Sequence, residues 1–371
     1  MIYLDNAGTT KIAPEVLDEM MPYLTEEYGN PGSLHTFGSR ARDAVDLARQ
    51  RVANAIGAEP QEIIFTSGGS EANNLAVKFS SEFFGNGMAI SSYTEHDSMK
   101  RALENYFQEV RWLDYYYPSE ICNQIQIESL RDVSAVSFMY VNNELGFVNP
   151  VKEICKCLNT CATSIVDAVQ ALGNHEINVK DIDCDFLSMS SHKIHGPKGV
   201  GALYIHKDLM KDYFKPLIFG GSNQEFGLRG GTENVAGIVG FGKACEMIDI
   251  DKNKSVISKL RRRFIDSLKQ AMGKHEFRVN FDIEDSKIVS LTIPGIDSET
   301  LVLLLSSQEV YISAGSACKS LESKPNEVLL ASYLTPDEAR NTVRISLSCY
   351  NTLEEMDKAA KVIGDFVDIL L

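Results

Sequence analysis

The chain has 371 residues and a formal net charge of −15. This length exceeds what one hydrophobic core usually serves, so we expect two domains. The acidic balance argues against direct binding of nucleic acid through a basic face. No segment is long and apolar enough to span a membrane, and no secretion signal opens the chain, so we expect no membrane partner. Eight unevenly spaced cysteines are not typical of a disulfide framework, which predicts reduced thiols and a cytoplasmic location.

Strand-length apolar runs alternate with helical segments through the first two thirds of the chain. A helix is predicted at residues 39–56, because its apolar residues recur at helical spacing and Gly57 follows as a stop signal. A second helix is predicted at about residues 70–84. Strands are predicted at residues 62–66, 88–92, 135–141, 164–167, 185–190 and 200–205. This alternation predicts a mostly parallel sheet covered on both faces, with ligands bound beyond the carboxyl ends of the strands.

The pattern changes after about residue 250. A charged helix is predicted at residues 252–272 and an amphipathic helix at 352–370. Between them lie shorter elements at residues 287–293, 299–306, 310–313 and 342–347. These segments predict a smaller α+β unit.

Three cysteines cluster in a helical segment of the first unit. Cys155, Cys157 and Cys161 do not share one helix face, and no second pair of ligands follows. We therefore expect no metal site.

The loops after the predicted strands carry polar residues that could form one site. Gly69 and Ser70 open a helix, where free N–H groups and the positive end of the helix dipole attract an anion. Other strands lead to His96, Asn142, Asp167 with Gln170, and Ser190 followed by His192 and Lys193. Each has an ordinary explanation, such as a capped turn or a solvated lysine. Together they favour a site, because all fall at the same edge of one sheet.

This combination suits pyridoxal 5'-phosphate. A lysine such as Lys193 forms a Schiff base with the cofactor aldehyde once it reaches the neutral amine, which burial and nearby positive charge favour. The carboxylate of Asp167 would keep the pyridinium nitrogen protonated, so that the ring acts as an electron sink.

Cys318 follows a run of small residues, 313–317, near the end of the second unit. A thiolate in a flexible loop is a good nucleophile. Most free cysteines are small buried hydrophobic residues, so Cys318 alone predicts little.

Motifs in order along almost the whole chain resemble those of cysteine desulfurases of the NifS and IscS type. They are residues 3–10, 29–31, 65–71, 95–96, 141–144, 166–170, 191–199, 228–232 and 313–318. The resemblance implies the fold type I of pyridoxal-phosphate-dependent transferases, with a mostly parallel seven-stranded sheet. It implies a large domain of residues 15–250, and a small α+β domain of residues 1–14 and 251–371 that carries the cysteine loop.

The resemblance also implies an activity. L-cysteine would be converted to L-alanine, and its sulfur would be held on Cys318 as a persulfide. An acceptor protein would then receive the sulfur for iron–sulfur assembly, tRNA thiolation or DNA phosphorothioation. The family implies a homodimer, in which Thr232 completes the partner's site.

By position, the resemblance assigns catalysis to Cys318, Lys193 and His96. Lys193 would hold the cofactor and His96 would stack on its ring and assist proton transfer. The phosphate would be bound by Gly69, Ser70, Ser190, His192 and the partner's Thr232. Asp167 would pair with the ring nitrogen and Gln170 with the ring hydroxyl. Asn142 and Arg344 would bind the substrate carboxylate, for which the planar guanidinium of Arg344 is suited.

Some features depart from the family pattern. Gly8 stands where Ala is usual, and His195 where IscS-type members tend to carry Tyr. The chain ends soon after its last predicted helix, without the tail that helps IscS-type enzymes dock an iron–sulfur scaffold, which leaves that partner open.

Two other readings compete with a desulfurase. The first is another enzyme of the same fold, such as a selenocysteine lyase or an aminotransferase. The second is a non-enzymatic partner subunit, against which the complete set of site residues argues.

Overall fold

The computed structural model describes residues 1–113, 132–158, 162–210, 214–221, 224–314 and 326–371. Cys161 and Cys318 lie outside these residues. The strands in chain order are β1 (Ile2–Tyr3), β2 (Ile63–Thr66), β3 (Met88–Ser92), β4 (Glu109–Leu113), β5 (Val133–Met139), β6 (Thr163–Asp167), β7 (Phe186–Ser190), β8 (Gly201–Ile205), β9 (Arg278–Asn280), β10 (Ile288–Thr292), β11 (Val310–Tyr311), β12 (Ser313–Ala314) and β13 (Thr342–Ser346).

The helices that the structure describes have these bounds in chain order. They are α1 (Pro14–Thr25), α2 (Thr36–Ile56), α3 (Gly69–Phe83), α4 (Asp97–Tyr106), α5 (Val151–Cys157), α6 (Val179–Ile182), α7 (Val235–Glu246), α8 (Ile250–Met272), α9 (Ser298–Ser307), α10 (Glu327–Ala331), α11 (Pro336–Arg340) and α12 (Leu353–Leu370). In the described ranges, no helix is both long and apolar enough to cross a bilayer.

A seven-stranded sheet forms the centre of the first unit. Its strand order is β2-β8-β7-β6-β5-β3-β4. Strand β8 runs antiparallel to both neighbours, and all other pairs are parallel. The prediction of a mostly parallel seven-stranded sheet is therefore confirmed.

Helices cover both faces of this sheet, because its inner strands are apolar on both sides. On one face, Val166 and Leu187 pack with α2 and α7 in one core cluster. On the other face, Ile165 and Phe186 pack with α3 and α4 in another. Successive side chains of β6 and β7 thus point to opposite layers, as the period of a strand requires.

The second unit has a four-stranded antiparallel sheet in the order β12-β13-β10-β9. Helices α8, α9 and α12 pack on it, and Ile2 and Leu4 from the start of the chain join the same core. Strand β1 pairs with β11 in parallel, with Ile2 opposite Val310. This packing agrees with a small domain that includes the first residues, although the boundaries 1–14, 15–250 and 251–371 stay a prediction.

A buried ion pair fixes the strand that leads into the turn at Gly69, for which the sequence predicts anion binding. The guanidinium of Arg49 donates two hydrogen bonds to the Glu225 carboxylate, both 2.7 Å long. Arg49 also donates to the carbonyl of Ile63, and Glu225 accepts from the backbone N–H of Phe65, each at 2.7 Å. These bonds satisfy backbone groups of β2, which lies at the edge of the sheet and has only one neighbouring strand.

We predict that Glu225→Ala destabilises the protein by about 3–5 kcal/mol, because it leaves the Arg49 guanidinium buried without its counter-ion. Urea unfolding monitored by circular dichroism measures this loss. Asp365→Ala is the matched control, since it removes the carboxylate of an exposed pair with Lys361 and should change stability by less than about 0.5 kcal/mol. Equal effects of the two substitutions would contradict the role given to the buried pair.

Candidate active site

A cavity of about 420 Å³ lies at the carboxyl ends of the parallel strands. This volume is within the range of about 300–1,000 Å³ that is usual for small-molecule sites. Strands β6 and β7 end at its rim, α3 and α4 begin there, and β13 contributes from the second unit. The predicted site residues that line it are Gly69, Ser70, His96, Asp167, Gln170, Ser190, His192, Lys193 and Arg344.

The beginning of α3 forms an anion-binding turn on one side of the cavity. Gly68 is the N-cap with φ of 154°, so the first N–H groups of a 15-residue helix have no capping side chain. A Cβ on Gly69 would lie 2.7 Å from Cγ2 of Val169, so only glycine fits at this position. The hydroxyl of Ser190 is buried and has no hydrogen-bond partner among the described residues, which leaves it available to a ligand oxygen.

His192 stands beside this turn as a neutral side chain. Burial, helped by the charges of Lys193 and Lys198, lowers the pKa of His192 to about 4. Its Nδ1 lies 3.1 Å from the hydroxyl of Thr9. An uncharged imidazole can still donate one hydrogen bond to a phosphate.

Lys193 is held by the backbone of the first residues of the chain. Its Nζ donates to the carbonyl oxygens of Ala7 at 2.5 Å and Gly8 at 2.8 Å. Burial first, and then the charge of Arg344, lowers the pKa of Lys193 to about 8. At pH 7 about a tenth of this amine is therefore unprotonated, and the unprotonated form is the one that attacks an aldehyde.

Asp167 presents a carboxylate to the cavity without an ion-pair partner among the described residues. Its Oδ2 accepts a hydrogen bond of 2.8 Å from Asn73, and its Oδ1 accepts one of 2.9 Å from the N–H of Val169. These neutral donors fix the carboxylate and leave its charge available for a cationic ligand atom.

His96 caps α4 and is exposed to the cavity. Its Nδ1 accepts a hydrogen bond of 3.1 Å from the N–H of Ser98. The neutral ring therefore carries its proton on Nε2. The Ser98 hydroxyl lies 2.7 Å from the same Nδ1 and accepts a 3.0 Å bond from Asn73. Asn73 thus connects the orientation of His96 to that of Asp167.

Arg344 occupies the wall contributed by the second unit. It is paired with Asp5 at 3.0 Å and with Glu144 at 2.8 Å, and donates to the carbonyl of Asn143 at 3.0 Å. Its Nε is buried and unpartnered. Burial raises the pKa of Glu144, which weakens that carboxylate as a competitor for the guanidinium when another carboxylate arrives.

Two predicted residues are not brought into the cavity. The side chain of Asn142 is fully buried and donates to the carbonyl of Thr94 at 3.0 Å, while its Oδ1 accepts from the N–H groups of Glu144 and Leu145. Thr232 lies apart, in a pocket with Arg229 and Gly199.

The predicted nucleophile Cys318 lies outside the described residues, but the chain that carries it enters this site. Ser313 and Ala314, the last residues described before it, line the cavity. Four residues of chain span at most about 14 Å. This length limits how far the Cα of Cys318 can be from that of Ala314.

Three further residues line the cavity but were not predicted from the sequence: Asn73, Asn143 and Glu144. Helical spacing offered a signal for Asn73, because it stands three residues after Ser70 and so shares a face of α3. Asn143 carries a buried, unpartnered Oδ1. Whether Asn142 or Asn143 faces the cavity depends on the turn that follows β5. The residue types alone do not determine the conformation of that turn.

The residues present fit pyridoxal 5'-phosphate. The N-terminus of α3 and the Ser190 hydroxyl suit its phosphate, and the Asp167 carboxylate suits a protonated ring nitrogen. The buried Oε1 of Gln170 has no partner while its Nε2 donates to Ala7 at 2.9 Å, which suits a ring hydroxyl. Within the described part of the chain, no group of three His, Cys, Asp or Glu residues is arranged to hold a metal ion.

Comparison with known proteins places the chain in a family. Residues 2–359 match the model of the class-V aminotransferases. The cysteine desulfurase IscS of Methanosarcina thermophila is 38% identical over 100% of this chain and 92% of its own length. The cysteine desulfurase IscS of Clostridium botulinum strain Hall is 39% identical over 99% of this chain and 94% of its own.

Solved structures agree with these relatives. A structure described as a NifS-like protein superposes with a TM-score of 0.90 at 32% identity and covers 100% of both chains. A structure of SspA in complex with cysteine has a TM-score of 0.81 at 31% identity, over 95% of this chain and 100% of that one. The chain therefore belongs to the class-V aminotransferase family, as a pyridoxal-phosphate-dependent enzyme of the NifS/IscS-like type.

Proposed function

We propose that the protein is a cysteine desulfurase that takes the sulfur of L-cysteine onto Cys318, releases L-alanine, and passes the sulfur to an acceptor protein. The observation that carries this proposal is one cavity that combines a buried Lys193 amine, the anion-binding turn at Gly69, the Asp167 carboxylate and Arg344. Relatives named cysteine desulfurase support it over the full chain.

Pyridoxal 5'-phosphate, when bound, supplies an aldehyde that takes up amines covalently and a ring that withdraws electrons from the substrate Cα. Gly69, Ser70, Ser190 and His192 would hold its phosphate, Asp167 its ring nitrogen and Gln170 its hydroxyl. His96 would lie against the ring from the α4 side.

Lys193 has two tasks in this account. Its Nζ would hold the cofactor, and the same amine, when it is not bound to the cofactor, would accept the Cα proton of cysteine. Burial favours the neutral amine for both tasks, since it lowers the Lys193 pKa to about 8. The carbonyl oxygens of Ala7 and Gly8 accept from the same Nζ and would steady the ammonium that proton transfer produces.

Arg344 is the proposed carboxylate-binding residue. Its guanidinium is already fixed by Asp5 and Glu144, so little side-chain freedom remains to be lost when substrate binds. Asn143 faces the same cavity with an unpartnered Oδ1, whereas Asn142 is used by its own turn. We propose that Asn143 contacts the substrate and that Asn142 supports the turn.

Cys318 is the proposed sulfur acceptor within the chain. Attack of its thiolate on the substrate sulfur forms the S–S bond of a persulfide and breaks the bond between the substrate sulfur and Cβ. The electron pair of that broken bond stays with the carbon fragment, which becomes alanine after protonation. The entry of the cysteine-bearing chain at Ser313 and Ala314 supports this assignment.

We also propose a homodimer. Thr232 lies outside the cavity of its own chain, so a phosphate contact from this residue would have to come from a partner subunit. Exposed apolar side chains lie on α1, on the segment before α2 and near residue 220, and would be covered in a dimer. They include Leu24, Tyr28, Leu34 and Phe219.

We predict that Cys318→Ala abolishes sulfide release from L-cysteine in the presence of a reductant, because no thiolate takes the sulfur. The variant should keep the visible absorption of the bound cofactor, since Cys318 is not among the residues that hold it. Sulfide and alanine assays measure the loss, and Cys157→Ala is the control because Cys157 lies on α5, away from the cavity. Wild-type desulfuration by Cys318→Ala would overturn the proposal, and retained turnover of selenocysteine alone would favour a selenocysteine lyase.

We predict that Arg344→Gln raises the KM for L-cysteine roughly ten- to a hundredfold, because a charge-assisted hydrogen bond contributes about 1.5–3 kcal/mol. Cysteamine, which lacks the carboxylate, should be used equally by wild type and variant. Arg340→Gln removes an exposed arginine of α11 and should leave both kinetic constants unchanged. A similar loss on cysteamine would show that Arg344 acts on the shape of the site and not on the substrate carboxylate.

A further inference from the structure

A second, smaller cavity lies between the two units, and Lys193 lines it as well as the first. Its volume is about 80 Å³. Its walls come from the first residues of the chain, the turn at Lys193, the junction of α7 and α8, and residues 347–350 after β13. A cavity measured as the space open to the centre of a water-sized sphere needs only about 10–15 Å³ to hold one water, so this one has room for several waters or a small inorganic anion.

Lys287 brings a positive charge into this cavity. Its side chain is buried, with 7% of the residue exposed. The backbone is fixed because the carbonyl of Lys287 accepts from the N–H of Leu347 at 2.7 Å. The Nζ amine makes no hydrogen bond or ion pair with any residue that the structure describes. Burial, and then the charge of Lys193, lowers the pKa of Lys287 to about 7.

The described lining offers no carboxylate to balance this amine. Among the other residues of the lining, the side-chain amide of Asn174 also makes no hydrogen bond to a described residue. Asn253 lines the cavity too, but its amide donates to the carbonyl of Gly173 at 2.8 Å. Two donors, one of them charged, thus face a space without an acceptor of opposite charge.

His195 contributes no charge to the cavity. Its Nδ1 lies 3.0 Å from the carbonyl of Lys11, and its Nε2 lies 3.0 Å from the hydroxyl of Ser348. The first contact requires a proton on Nδ1, and in the neutral ring Nε2 then accepts from the Ser348 hydroxyl. Burial also lowers the pKa of His195. The positive charge of the cavity therefore comes from its lysines.

We propose that this cavity binds a small inorganic anion, the size of sulfate or smaller, between the Nζ ammonium of Lys287 and the amide of Asn174. The inference rests on an unpaired buried amine, a free amide and a lining without carboxylates, and does not depend on the desulfurase activity. A lone ammonium is unfavourable in a buried site unless a counter-ion joins it. An anion supplies that counter-ion, and it stabilises the folded protein by mass action.

Anion binding has a defined pH dependence, because only the protonated amine attracts an anion. Below about pH 7 the affinity should be constant, and above it the affinity should fall about tenfold per pH unit as Lys287 loses its proton. Other titratable groups that line the cavity or act on it electrostatically are Lys193, His195, Cys349, Tyr350, Lys252 and His175. Burial lowers the pKa of His175 to about 4 and raises that of Cys349, so both are neutral around pH 7.

Calorimetric titration of the holoenzyme with sodium sulfate tests the site. We expect binding at about pH 6 that weakens roughly a hundredfold at about pH 9. Lys287→Met should lower the affinity at least tenfold at the lower pH. Lys358→Met, which removes an exposed lysine of α12, should bind sulfate as the wild type does. Equal sulfate affinity of the wild type and Lys287→Met at about pH 6, or no binding by the wild type, would overturn the proposal.

A second measurement needs no variant and keeps the proposal testable if Lys287→Met does not fold. Crystals of the wild-type holoenzyme are soaked in sodium bromide and measured at the bromine absorption edge. An anomalous peak between Lys287 Nζ and the Asn174 amide supports the site. A cavity without such a peak, in crystals that show bromide elsewhere, contradicts it.

Discussion

Lys193 is a partly buried amine held between two backbone carbonyl oxygens, and the rest of the site depends on how that amine loses its proton. The carbonyls of Ala7 and Gly8 and the nearby carboxylates favour the ammonium form. Burial and the charge of Arg344 oppose them and prevail, since the pKa of Lys193 falls to about 8. A more open site would leave the amine fully protonated, and a site without the carbonyls would leave it poorly positioned.

The first residues of the chain hold the Lys193 amine in place, and the same residues join the two units. The N–H of Ala7 donates to the Ser346 hydroxyl of β13 at 2.8 Å, while Thr10 donates to the carbonyl of His192 at 3.0 Å. Asp5 in the same segment pairs with Arg344. The segment therefore connects the strand that carries Arg344, the proposed carboxylate-binding residue, to the turn that carries Lys193. This explains why one cavity draws on residues that are far apart in sequence.

Much of this could be predicted from the sequence, because the strands are short apolar runs and their polar residues follow at the carboxyl ends. The turn at Gly69 and the pair Asp167 and Gln170 lie where that pattern places them. Strand β4 was not predicted, since most of its residues are only half-buried and the strand depends on pairing with β3. The reversed direction of β8 follows from its pairing with β7, which lies just before it in the chain, and with β2, which is distant in sequence.

The residues that were hardest to predict are polar side chains that position other residues of the site. Asn73 matters because the fold brings its amide to both Asp167 and Ser98. Asn142 and Asn143 are chemically identical, and only the hydrogen bonds of the turn decide which faces the cavity. Lys287 begins the predicted element at residues 287–293, and its burial depends on packing between the two units.

The measurement that tests the central claim most directly is reduction of the holoenzyme with borohydride, followed by mass analysis of its peptides. Borohydride makes the bond between the cofactor and a lysine permanent, so the modified peptide identifies the amine. The account predicts the added mass of the reduced cofactor on Lys193. An unmodified Lys193, or the cofactor on another lysine such as Lys198 or Lys287, would contradict it.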